Sequence, residues 1–188
     1  MIKEFFVNQS NELAASLKRH DWSSSVQLHD AMAKAWREKK QVFICGNGGS
    51  GGNACHWAND FLYPVTKKIG SGLRIRSLVS NPAVLTCLAN DEGYDQIFSS
   101  QLKIFAEPGD ILIAFSGSGN SPNIVKALET AKELGVRSFA VVSFTGGKCL
   151  ELADVPIYFQ VKDMQLAEDF QSVLGHLLMR SLQTENLN

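Results

Sequence analysis

Two stretches of this chain combine glycine with small polar side chains in a way that suits anion binding. The first is Cys45 to Ser50, CGNGGS, which follows the apolar run Val42, Phe43, Ile44 and Cys45 and is itself followed by Gly51 and Gly52. Backbone without a Cβ can turn sharply and approach a ligand closely. Successive N–H groups in such a turn, backed by the N-terminus of the next helix, form a concavity for a phosphate. The second stretch, Ser116-Gly117-Ser118-Gly119-Asn120-Ser121, follows the apolar run Asp110 to Phe115 and precedes Pro122, which opens a helix without losing a hydrogen bond. Its three hydroxyls and free N–H groups are donors for the same kind of guest. Such loops at the C-terminal ends of strands are where open α/β sheets place their ligands.

Gly46, Gly48 and Gly51 also satisfy G-x-G-x-x-G, the dinucleotide fingerprint. That fingerprint requires an acid at the end of the next strand to hold a ribose hydroxyl. The next strand candidate, Leu73 to Ser80, ends in Ser80, Asn81 and Pro82, so no nucleotide cofactor is expected. Further along, Asn90 and Asp91 are polar groups at the end of an element, suited equally to a turn and to substrate contact. Titratable side chains enter in two pairs. His56 and Asp60 lie one helical turn apart after the first glycine loop, and the closing segment carries Glu168 and His176.

The elements that position these residues follow from hydrophobic periodicity. Phe5, Phe6, Leu13 and Leu17 recur at helical spacing, and Val26, Leu28, Met32 and Trp36 form a second stripe with Ser23 to Ser25 offering its N-cap. Short apolar runs predict strands over Val42–Cys45, Leu73–Ser80, Asp110–Phe115, Arg137–Val142 and Pro156–Val161. Between them lie helices after the first loop, over Pro82–Leu88, Ile97–Phe105, Pro122–Leu134 and Cys149–Leu152, and a long closing helix over Asp163–Leu182. Leu166, Phe170, Val173, Leu174, Leu177 and Leu178 mark its apolar face. Strands alternating with helices imply an α/β fold with a parallel sheet. A first helix so apolar at its start is expected to pack on another subunit.

The chain has 188 residues, 45% of them hydrophobic, enough for one domain with a substantial core. A net charge of -1 offers no general attraction to nucleic acid or to an anionic membrane surface. Cys45, Cys55, Cys87 and Cys149 form no C-x-x-C pair and fit a reducing cytoplasm. The N-terminal segment has no signal-peptide pattern, and no apolar run is long enough to cross a membrane. His20 and His29 lack partner motifs and read as solvated or structural.

Taken together, CGNGGS, His56, LANDEGY at Leu88 to Tyr94, SGSGNSPN at Ser116 to Asn123 and the acid-rich closing helix ending in His176 resemble the sugar isomerase (SIS) domain family, and within it the phosphoheptose isomerases. The resemblance covers nearly the whole chain. It implies a three-layer, flavodoxin-like sandwich spanning residues 1–188. Residues 1–40 would be a helical oligomerisation arm and 41–188 a sugar-phosphate-binding core. It also implies a homotetramer with active sites shared between subunits. By position, Asn47, Gly48, Gly49, Ser50, Asn90, Asp91, Ser116, Gly117, Ser118 and Ser121 would contact the sugar phosphate. The implied reaction converts sedoheptulose 7-phosphate to D-glycero-D-manno-heptose 7-phosphate, a heptose for lipopolysaccharide or capsule.

Two positions depart from the family pattern. The family's base is a Glu four residues after the helix His, where this chain has Asp60. The family's Gln eight residues before the terminal His is here Glu168. Family members hold zinc with these four side chains, so His56, Asp60, Glu168 and His176 are the implied ligands for zinc or a similar divalent cation. Asp60 is expected as base and His176 as acid, with Glu168 an alternative base. A non-catalytic sugar-phosphate binder, or a relative that associates with the replication initiator, is the competing expectation.

Overall fold

The computed structural model describes residues 1–63, 65 and 71–184. Helices α1 (Ile2–Arg19) and α2 (Ser23–Arg37) lead into β1 (Gln41–Cys45), α3 (Gly48–Leu62), β2 (Arg74–Ser77) and α4 (Pro82–Asp91). A 3-10 turn (Tyr94–Gln96), α5 (Ser99–Phe105), β3 (Ile111–Ser116) and α6 (Pro122–Glu133) follow. The chain closes with β4 (Arg137–Val142), α7 (Gly147–Leu152), β5 (Val155–Tyr158) and α8 (Met164–Leu182).

The five strands are all parallel, in the order β2-β1-β3-β4-β5. Alternation within the central strands sends residues to two separate cores. Val42 and Ile44, Ile111, Ile113 and Phe115, and Phe139 and Val141 pack with Trp57, Phe61, Phe170 and Leu174 under α2, α3 and α8. Phe43 and Cys45, Leu112 and Ala114, and Ala140 and Val142 pack with Phe98, Leu102, Ile124 and Leu128 under α5 and α6. This is the expected three-layer sandwich. β1, β3 and β4 are buried on both faces and read as continuous apolar runs, whereas the edge strands β2 and β5 are only alternately buried.

Several element limits differ from the expectation for local physical reasons. Four of the five glycines after β1 lie inside α3, so Gly46 and Asn47 alone make the connection. β2 and β5 are shorter than the apolar runs that mark them, because Leu73 and Leu78, and Phe159 and Val161, continue the chain into the core outside the ladder. The helix expected over Ile97–Phe105 begins at Ser99, and a 3-10 turn over Tyr94–Gln96, entered through Gly93 at φ +108°, precedes it. None of Ser23 to Ser25 caps α2; Asp21 accepts from the N–H and hydroxyl of Ser23 instead. On α8, Leu177 is exposed, while the buried stripe runs through Leu166, Phe170, Leu174, Leu178 and Leu182.

Candidate active site

In the 2-1-3-4-5 order the sheet reverses direction of growth between β1 and β3, and it is outside the C-terminal ends of strands at such a reversal that open α/β sheets place their ligands. The loops leaving β1 and β3 are the two glycine-containing loops. At the first, Asn47 is the residue before α3, and the first helical bond runs from Gly51 N to Asn47 O at 3.1 Å. At the second, Ser121 precedes α6 and its hydroxyl caps nothing. Ser116 is buried and its Oγ accepts from Gly119 N at 3.1 Å, so it braces the loop from within. Ser118 is half-buried and Oγ accepts from Asn120 N at 3.3 Å, leaving its proton free to donate outward. Gly119 takes φ +69° and lies so close to the Gly146 carbonyl that no Cβ fits.

Helix α8 crosses both loops with one face. Met164 packs on Gly117 and, one turn later, the Glu168 carboxylate lies against Gly49; a Cβ at either glycine would overlap those side chains. Ser50 is turned into the same helix contact, its Oγ accepting from Gln171 Nε2 at 3.0 Å. The sequence reading offered Ser50 to the substrate, but its buried hydroxyl serves the α3–α8 seam. Asn53 extends that seam, donating to Glu168 O at 2.9 Å and Gln171 Oε1 at 3.0 Å while accepting from Ser172 at 3.0 Å.

Further along the seam, the Trp57 indole donates to Gln171 O at 3.0 Å and fills the space over Gly175, where a Cβ would collide with it. That close approach brings the adjoining residues together. His56 Nε2 lies 3.0 Å from His176 Nε2, 3.5 Å from Asp60 Oδ2, and the His176 nitrogen lies 3.8 Å from the same oxygen. The other Asp60 oxygen accepts from Asn59 Nδ2 at 3.1 Å. Two imidazole nitrogens and a carboxylate oxygen thus converge on one point. Donors about 2.0–2.1 Å from a tetrahedral ion stand about 3.3 Å from one another, and the three separations bracket that value. The set fits zinc. Glu168 does not join it, because eight helical residues place its Cα about 12 Å from that of His176 along α8. Within one chain, three of the four expected ligands come together.

Asn90 and Asp91 end α4, and Asp91 accepts from Asn90 Nδ2 at 2.7 Å and from the Cys87 thiol at 3.4 Å. These two hydrogen bonds, that of Asn90 first, hold the Asp91 carboxyl below the usual range. The 3-10 turn after them carries Tyr94, whose hydroxyl reaches Asn47 Oδ1 at 3.1 Å and so ties this segment to the first loop.

Residues 5–145 match the SIS domain family. Over 180 residues the chain is 32% identical to the phosphoheptose isomerase of Helicobacter pylori (strain Shi470), covering 95% of this chain and 92% of that one. The phosphoheptose isomerase of Thermodesulfovibrio yellowstonii is 36% identical over 160 residues, 85% of this chain and 79% of that one. The chain belongs to the phosphoheptose isomerase family of SIS-domain proteins. Its fold matches the solved phosphoheptose isomerase of Neisseria gonorrhoeae with a TM-score of 0.89 at 24% identity, covering 98% of this chain and all of that one. The sequence marks both glycine loops and the His56, Asp60 and His176 that the structure brings together. Sequence reasoning missed Gln171, Asn53, Trp57 and Gly175, which set the distance between the two histidine-bearing helices; a glycine opposite a tryptophan leaves no signal until the helices are paired.

Proposed function

We propose that this chain is an isomerase that interconverts sedoheptulose 7-phosphate and D-glycero-D-manno-heptose 7-phosphate through an enediol; its relatives are named phosphoheptose isomerases. The observation that carries the reading is the meeting of the two loops at the β1/β3 divergence with Glu168 against one of them. Ser118, Ser121 and the α3 N-terminus suit the phosphate. Asn90 and Asp91, at the end of α4, suit the sugar hydroxyls.

The chemistry needs a base to take the C-1 proton beside the ketone, giving the enediol, and return of a proton to C-2 to give the aldose. It also needs an acid to move a proton between the two oxygens. Asp60 with His176 supplies such a pair at 3.8 Å, and Glu168 is a second carboxylate of the right type. His56 and Asp60 lie about 12 and 18 Å along α3 from Gly48. An extended seven-carbon phosphate spans only roughly 10 Å, from bonds of about 1.5 Å. These lengths favour the His–Asp–His group of one chain serving the loops of a second copy, while Glu168 faces its own chain's loops. If zinc is held by His56, Asp60 and His176, it supplies Lewis-acid polarisation of a substrate oxygen.

A homotetramer fits this sharing. Helix α1 exposes Ile2, Phe5, Phe6 and Val7 together and only Leu13 and Leu17 reach the core, which suits α1 as an assembly arm, whereas α2, the rest of the expected 1–40 arm, is built into the core through Leu28, Met32 and Trp36. Four free cysteines suit work in a reducing cytoplasm. A non-catalytic sugar-phosphate binder is less well supported, since it has no use for a convergent His–Asp–His set. Incubating the protein with sedoheptulose 7-phosphate and a panel of ketose phosphates, with and without zinc, tests the reading by product analysis. Binding without any product in every case would remove it.

A further inference from the structure

Asparagine is among the best helix N-caps, its side-chain oxygen accepting from the N–H two or three residues on. Asn47 stands at that position for α3 with an extended backbone, φ -108° and ψ 151°, yet its side chain caps nothing. It is held elsewhere. Asn47 Nδ2 donates to Asn123 Oδ1 and Asn123 Nδ2 donates to Asn47 Oδ1, each at 2.8 Å, and the Tyr94 hydroxyl donates to the same Asn47 oxygen. Asn123 Oδ1 also accepts from Ile124 N at 3.0 Å, which fixes the oxygen end of that amide and hence the sense of the pair. Asn123 is 1% exposed, so the pair is sheltered from water on one side.

The consequence lies in the backbone ahead of the first helical bond. The N–H groups of Gly48, Gly49 and Ser50 have no hydrogen-bond partner among the described residues, and the Glu168 carboxylate lies against Gly49 without accepting from it. A released Asn47 side chain would fold back onto Gly49 or Ser50 and take one of these donors. We propose that Asn123, helped by Tyr94, is a positioning residue that withholds Asn47 from its own helix and so keeps the α3 N-terminus open for an anionic oxygen of the substrate. This rests on the sugar-phosphate site assigned above. It also explains why three separate segments, the first loop, the second loop and the turn after Asp91, converge on one asparagine.

Titration calorimetry on the full-length protein with inorganic phosphate and with a ketose phosphate tests it. Asn123→Ala weakens binding about tenfold, the scale of one hydrogen bond to a charged group. Adding Asn47→Ala to that variant removes the competing cap and strengthens binding again, a reversal that mere loss of packing does not produce. Tyr94→Phe, a surface change, loses about two- to threefold. Should Asn123→Ala not fold, Asn123→Ser carries the same expectation, since it keeps a cap for Ile124 and loses the reach to Asn47. Parent-like affinity in the Asn123 variant, or a double variant no tighter than the single one, overturns the role of Asn123 alone. A parent protein that binds neither ligand overturns the site itself.

Discussion

The Glu168 carboxylate lies against Gly49 at the start of α3, about two helical turns away from His176 on its own helix. Gly49 has no positive φ, so what its missing Cβ provides is room for that carboxylate. In Gly49→Ala the flexible end of Glu168 swings away and the fold persists. We expect a melting temperature within a few degrees of the parent and a loss of kcat of about a hundredfold, the cost of misplacing a reacting group. Glu168→Ala should give a similar loss, and the double variant little more. Additive losses in the double variant would separate the two residues.

Gly175 trades helix propensity for helix contact. Alanine in the middle of α8 is intrinsically better by roughly 0.5–1 kcal/mol, but its methyl would meet the Trp57 indole. Overpacking of about 1–3 kcal/mol should dominate, lowering the melting temperature by about 3–10 °C. Because Trp57 and Gly175 adjoin His56 and His176, the same change should weaken zinc binding at least tenfold in equilibrium dialysis. Glu168→Gln, outside the three-ligand set, should leave zinc affinity unchanged. Loss of zinc in Glu168→Gln with retention in Gly175→Ala would reverse the ligand assignment.

Much of this arrangement was legible in the sequence because it is local or periodic. The apolar runs ending in CGNGGS and SGSGNS locate both loops, and His56 with Asp60 is a spacing on a single helix. What stayed hidden depends on pairing distant segments. Ser50 looks like one more loop hydroxyl until Gln171 is found donating to it, and Glu168 looks like a ligand beside His176 until helical rise separates them. Asn123 reads as an ordinary first-turn residue, since its partner lies 76 positions away.

His20, which the sequence marks only as solvated or structural, stacks on Phe159 at 4.0 Å between ring centres and meets Trp22 edge-on at 4.8 Å. Its Nε2 is buried with no partner. Burial pushes its pKa below the ordinary 6.5, partly offset by Asp21. An unfolded chain takes up a proton near 6.5 that folded His20 refuses, so stability falls as pH drops from 6.5 towards the folded value. His20→Phe keeps the stack and removes this term. Melting temperatures measured from about pH 7 to 5 should therefore fall less steeply in the variant. Parallel curves would show that His20 carries no linkage.

The exposed Ile2, Phe5, Phe6 and Val7 of α1 should be covered by other copies of the chain. Light scattering should find a tetramer for the intact protein and smaller species for Phe5→Ser/Phe6→Ser. A monomeric parent would remove the proposed shared site.

Solvent isotope incorporation tests the central claim most directly. With sedoheptulose 7-phosphate in D2O, proton transfer through an enediol places deuterium at C-2 of the aldose product and, on return, at C-1 of the ketose. Both signals are expected by NMR in the parent protein, and neither in the Asp60→Asn/Glu168→Gln double variant, in which no site, within one chain or shared between copies, keeps either carboxylate. Product formed without deuterium, or no exchange at all by a protein that binds the sugar phosphate, would contradict it.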